Sequence, residues 1–130
     1  MKFPVIASVF VLALAAPAHA MDIMTEWTTP QAPFRVVGNI YYVGTQDLAV
    51  YLITSPKGDV LIDGALVQTV PQIEKNIASL GVKLSDIKLI LNTHAHYDHA
   101  AGIAQLKKDT GAQFDASAPD TPFLERGRIS

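Results

Sequence analysis

The hydrophobic period of this chain changes once, at Asp63-Gly64, and that change limits the fold it can adopt. Upstream, short β-branched and aromatic runs alternate with turn residues. Arg35-Val36-Val37 and Ile40-Tyr41-Tyr42-Val43 flank Gly38-Asn39, as the strands of a hairpin do. Ala49 to Thr54 reads as a third strand, Ser55-Pro56-Lys57-Gly58 as a turn, and Asp59 to Asp63 as a fourth strand. Such close spacing predicts an antiparallel or mixed sheet edge. Downstream, Val67, Val70, Ile73, Ile77 and Leu80 recur every three or four residues, the stripe of an amphipathic helix. Pro71 sits in its first turn and Gly81 at its end. Lys88 to Asn92 then predicts a buried strand, Thr93 to Asp98 a loop, and Ala100 to Thr110 a second helix. Gln113 to Ala116 predicts a short strand, and a third helix starts at Asp120. The order β-meander, α, β, α, β, α specifies an α/β fold with helices over one sheet face. Met21 to Pro33 shows no period and contains Pro30 and Pro33, so it reads as an irregular arm whose Trp27 packs on the body.

The first twenty residues do not fit this scheme. Lys2, the apolar run Val5 to Ala16, Pro17 and then Ala18-His19-Ala20 have the layout of a secretory signal peptide with its cleavage site. The apolar run is too short to span a membrane, which takes roughly 20 residues. The expected division is a signal peptide at 1–20 and a domain at 21–130. The expected location is the periplasm, with no membrane anchor after cleavage. Apolar residues make up 49% and charged residues 17%, the balance of a globular and not a disordered chain. A net charge of −2 gives no electrostatic case for nucleic acid. There is no cysteine, which excludes disulfides, thiolate metal ligands and a lipid-bearing cysteine within this sequence.

Without the leader, three histidines remain, His94, His96 and His99, in the stretch Thr93-His94-Ala95-His96-Tyr97-Asp98-His99. It lies where a buried strand gives way to a helix, the place where open α/β sheets bind ligands. In an extended segment residues two apart face the same side, so His94, His96 and Asp98 can face one point and His99 an adjacent one. Imidazole nitrogen and carboxylate oxygen suit zinc. Four donors divided between two directions suggest two metals, as in hydrolytic sites whose ions lie roughly 3.5–4 Å apart. A helix N-terminus favours ionised Asp98, which can bind a metal and orient the attacking hydroxide. Asp63 reads either as a turn cap or as a carboxylate that steadies the ligand loop. Tyr97 reads as packing rather than as pocket floor. Lys107, Lys108 and Asp109 read as a solvated helix end.

His94-x-His96-x-Asp98-His99 resembles the zinc signature of the metallo-β-lactamase superfamily. Pro33 to Gly44, Tyr51-Leu52-Ile53, Leu61-Ile62-Asp63-Gly64, Leu91-Asn92-Thr93-His94, Leu106-Lys107-Lys108 and Leu124-Glu125-Arg126-Gly127 extend the likeness, toward class B β-lactamases of the third subclass. His99, with no cysteine in the sequence, matches that subclass. The resemblance implies an αββα sandwich of which this chain is the N-terminal half, apparently truncated. It implies two zinc ions in the full-length form, His94 and His96 binding the first, Asp98 and His99 the second, with Asp98 also catalytic. Asp63 moves toward the steadying role. The implied reaction is hydrolysis of the β-lactam amide, a small-molecule substrate, and the chain shows no serine-nucleophile motif. The missing C-terminal half would supply the remaining ligands and cover an otherwise exposed apolar sheet face. The chain alone is therefore expected to be inactive and aggregation-prone. A glyoxalase II-like thioesterase, a lactonase and a non-catalytic zinc binder are the alternatives.

Overall fold

The computed structural model describes residues 23–127, and the leader expected at 1–20 lies outside them. Turns at Gly38-Asn39 and Pro56-Lys57 shape the first half of a six-stranded mixed sheet. Gly38 takes a positive φ of 54°, open to glycine without a Cβ penalty. β1 (Phe34–Val37), β2 (Ile40–Tyr42), β3 (Tyr51–Ile53) and β4 (Asp59–Ile62) pair antiparallel in sequence order. The chain then crosses over, and β5 (Ile87–Leu91) and β6 (Gln113–Asp115) add in parallel. The expected mixed sheet is found; β1 starts one residue earlier than expected, β5 is shifted one residue toward the N-terminus, and the other strands are shorter by one or two residues at an end.

Register decides which side chains become core. Arg35, Tyr41, Leu52, Leu61, Ile90 and Phe114 lie in one row across the sheet. Leu52, Leu61 and Ile90 are fully buried there. α2 (Val70–Ser79) and α4 (Ile103–Thr110) complete this core with Val70, Ile73, Ile77, Ile103 and Leu106. Each such side chain contributes roughly 1.5–3 kcal/mol on burial. Pro71 does sit in the first turn of α2, and Gly81 and Gly111 take left-handed φ at the ends of α2 and α4.

The two flanking rows point the other way. Ile40, Ile53, Val60 and Leu89 form one, and Phe34, Tyr42, Tyr51, Ile62 and Leu91 the other. None of them belongs to the buried core, and Phe34 remains 48% exposed. The sheet therefore has one face covered by helices and one apolar face that the described residues leave open.

Two local expectations are corrected. The N-terminal arm is not irregular throughout, because Ile23–Thr28 forms a short helix, α1. Hydroxyls of Thr28 and Thr29 bond back to the carbonyls of Met24 and Thr25, a local stabilisation that leaves no apolar stripe to read. Thr45 Oγ1 donates to Trp27 O and Asn76 Nδ2 to Gln31 O, which ties the arm down, and Trp27 packs on the core as expected. The single helix expected at Ala100 to Thr110 is instead α3 (Tyr97–Ala100) and α4. The Gly102 N–H leaves the helical ladder to donate to Ala65 O at 2.9 Å, and the helix breaks there.

Asp109 does more than the solvated end expected of it. It accepts from Gln105 Nε2 at 2.7 Å and faces Glu74 on α2, whose Oε1 is buried without a donor. Burial, then a hydrogen bond to Asp109 and the Asp109 charge, push the Glu74 carboxyl above its ordinary value. The fold thus favours the protonated acid. Its contribution is present in full below the ordinary glutamic acid pKa and is lost as pH rises through the elevated one. Glu74→Gln should flatten that loss, so that urea midpoints between pH 4 and 8 fall less with rising pH than in the parent chain.

Candidate metal centre

The loop that follows β5 is set from both ends. Ala95 is buried, 6% exposed, and anchors its middle. His96 is extended (φ −87°, ψ 151°), and its carbonyl accepts from the His99 and Ala100 N–H groups as α3 begins. Asp98 and His99 are therefore on a helical turn, and the extended geometry expected through Asp98 ends at His96. This turn groups the side chains differently from a simple alternation. The His94 ring lies 4.3 Å from that of His96 and 4.1 Å from that of His99, centre to centre. Asp98 Oδ2 lies 3.5 Å from His99 Nε2.

A second loop supports the first from beneath. After β4 the chain passes through Asp63 (φ 65°), Gly64 and Ala65 (φ 49°), two left-handed non-glycine residues in three positions. Such conformations cost about 1–3 kcal/mol each and persist where the surroundings enforce them. Here the Asp63 N–H donates to Leu91 O and the Gly64 N–H to His99 O, both at 2.8 Å. A Cβ on Gly64 would come within 2.8 Å of Ile103 N, and one on Gly102 would overlap Gly64 O. The two glycines let the turn at 63–65 press against the junction of α3 and α4.

That contact places the Asp63 carboxylate, 4% exposed as a residue, directly under the histidines. Oδ1 accepts from Asn92 Nδ2 at 3.0 Å and from Thr93 N at 2.8 Å. Oδ2 accepts from Thr93 Oγ1 at 2.7 Å and from His99 Nδ1 at 2.9 Å. Four donors fill the capacity of a carboxylate. A carboxylate can only accept, so His99 Nδ1 is the donor to Asp63, and in the neutral ring the lone pair is on Nε2. Thr93 gives its one hydroxyl proton to Asp63, so the 3.1 Å contact of Thr93 Oγ1 with His94 Nδ1 has the histidine as donor. In the neutral His94 ring the lone pair is likewise on Nε2. One buried carboxylate thereby assigns the tautomers of two candidate ligands.

The donor chemistry fits zinc: imidazoles with free Nε2 lone pairs beside a carboxylate. Among the described residues no three or more His, Asp or Glu donors are arranged to hold one metal ion. Their close contacts run pairwise instead, from Asp98 to His99, from His99 to His94 and from His94 to His96. A cleft of about 220 Å³ opens beside the last of these pairs, lined by His94, Ala95, His96, Asp120 and Phe123. Tyr97 does not pack as expected and is 43% exposed. Thr93, Asn92 and Gly64 stand in the stretches that carry the likeness, but neither they nor Gly102 had an expected role at the site. A hydroxyl next to the first histidine was the only available signal for Thr93.

Residues 43–128 match the family described as the metallo-beta-lactamase superfamily. Among solved structures, the chain is 54% identical to BJP-1, a subclass B3 metallo-beta-lactamase of Bradyrhizobium japonicum. That match has a TM-score of 0.77 and covers 80% of this chain and 39% of the other. The Rm3 metallo-beta-lactamase is 45% identical with a TM-score of 0.80, covering 84% and 40%. The class B3 di-zinc enzyme LRA-12 from an Alaskan soil metagenome is 45% identical with a TM-score of 0.78, covering 81% and 40%. The chain thus spans about two fifths of the length of the structures it matches.

Asp63→Asn should keep the side chain's shape but replace one accepting oxygen with a donor. Competition with a chromophoric chelator should show zinc affinity of the chain lowered about 10–100-fold, the usual effect of losing a ligand's hydrogen-bond partner, with the far-ultraviolet circular dichroism unchanged.

Proposed function

Because the chain belongs to the metallo-β-lactamase superfamily, we propose that it carries the ligand loop of a zinc-dependent hydrolase acting on the β-lactam amide bond. The observation that carries this reading is the convergence of His94, His96 and His99 over the saturated Asp63 carboxylate. It is a positioned set of metal donors at the C-terminal end of a parallel strand, where α/β sheets bind ligands.

In this proposal His94 and His96 hold one zinc, and Asp98 and His99 the other. When bound, zinc supplies Lewis acidity toward a carbonyl oxygen and makes water nucleophilic near neutral pH. The protein's own contribution is positional. Asp63 holds His99 through Nδ1, and through Thr93 it holds His94, so in both rings Nδ1 is engaged and Nε2 is left for a metal. Asp98, held beside His99 at 3.5 Å, takes the hydrogen bond of the attacking water and orients it.

Two donors per ion fall short of the three that catalytic zinc sites use. We therefore assign the remaining donors, and the cover over the open sheet face, to a further segment such as the rest of the matched enzymes' length. Residues 1–20 act as the leader to the periplasm and 21–130 as the N-terminal half-domain. The test compares this chain with a form extended to the matched length, using a chromogenic cephalosporin with zinc and with EDTA. The extended form should hydrolyse it in an EDTA-sensitive manner, and the 130-residue chain should not. Faster cleavage of a glutathione thioester or a lactone than of any β-lactam would replace this reading with one of the superfamily's other hydrolases.

A further inference from the structure

The cleft of about 220 Å³ beside His94 and His96 has an opposite wall that zinc binding does not explain. That wall is the short helix α5 (Thr121–Glu125) and the residue before it. Phe123 turns an aromatic ring to the surface there, 55% exposed, although a phenyl ring is normally covered. Asp120 lines the same cleft, and its Oδ2 is fixed by Ser117 Oγ at 2.6 Å. Asp120 N–H donates in turn to Ser117 O at 3.0 Å, so the carboxylate is oriented by its own turn. Among the described residues Asp120 pairs with no cationic group. An oriented, unpaired carboxylate and an exposed ring thus face two metal-donor histidines across one opening.

Resting on the hydrolase reading above, we propose that Phe123 and Asp120 form a subsite for a substrate side chain that carries both an aromatic ring and an ammonium group. The ring stacks on Phe123, in the offset or edge-on arrangements that aromatic pairs prefer. The ammonium lies against Asp120 at the solvent-facing end, where a charge pair tunes preference more than it adds affinity. The matched probes are ampicillin and benzylpenicillin, which differ by one side-chain amine, with 6-aminopenicillanic acid as the ring-free control.

Binding to the zinc-loaded chain is followed by chemical-shift perturbation of the alanine and phenylalanine signals. Ampicillin should bind about 2–5-fold more tightly than benzylpenicillin, the range of an exposed charge pair. Asp120→Asn should abolish that ratio while leaving benzylpenicillin unchanged. Phe123→Ala should weaken both ring-bearing ligands roughly tenfold, toward 6-aminopenicillanic acid, as losing an aromatic contact does. Phe123→Tyr should retain the parent affinities. Equal affinities of the two penicillins, no effect of Phe123→Ala, or no saturable shift with any probe overturns the subsite. Zinc titration of the same samples is read separately. Absence of zinc binding in the form extended to the matched length refutes the hydrolase reading itself, whereas intact zinc binding with failed discrimination refutes only the subsite.

Discussion

The Asp63 carboxylate is the interaction on which the ligand loop depends. It is nearly shut off from water, and a buried charge is costly unless every lone pair is satisfied. Here one backbone N–H, one amide, one hydroxyl and one imidazole provide the four donors. Three of them come from Asn92 and Thr93, which leave β5, and the fourth from His99 on α3. The carboxylate thus fastens the end of β4 to the end of β5 and to the first helical turn beyond it. It can reach that position only because Gly64 and Gly102 allow two loops to touch backbone to backbone. Geometry at the histidines is therefore set by small residues that carry no chemistry themselves.

Much of this architecture was legible in the chain. The hairpin turns, the stripe from Val67 to Leu80 and the glycine stops each express a local backbone preference, and the elements formed near where they were expected. The cluster at 94–99 was legible because its donors are neighbours in sequence. What stayed hidden was non-local. Gly102 reads as an ordinary helix residue until its N–H is found bonded to Ala65, and only then does the break between α3 and α4 have a cause. Asp63 offered two readings on spacing alone, and its partners lie 29 to 36 residues away. Tyr97 was misjudged because a helical turn began one residue after His96 and carried its ring outward.

The sheet shows how unevenly a half-buried strand can be used. Leu52, Leu61 and Ile90 vanish beneath the helices, while their neighbours on the same strands stay partly in solvent. Valine, isoleucine and tyrosine on that second face satisfy strand preference and yet leave a wide apolar surface. Surfaces of this kind mark contacts with other protein layers or a tendency to associate. The matched enzymes are more than twice as long as the part this chain shares with them, and their length is the natural context for such a face.

The spacing of the site in the chain has a further consequence for how folding and metal capture are linked. His94, His96, Asp98 and His99 lie so close in sequence that an unfolded chain can bring them together at small loop-closure cost. Asp63 joins them only once β4 and β5 are paired and the crossover between them is complete. In the proposed zinc site, an ion caught by the unfolded loop would be held by flexible rings, and the same ion in the folded chain by rings whose hydrogen-bond partners are already in place. The difference between those two binding free energies would equal the stabilisation that a saturating ion gives to the folded chain. Metal affinity measured across a denaturant series would therefore report the folding of this chain, the β4–β5 pairing included.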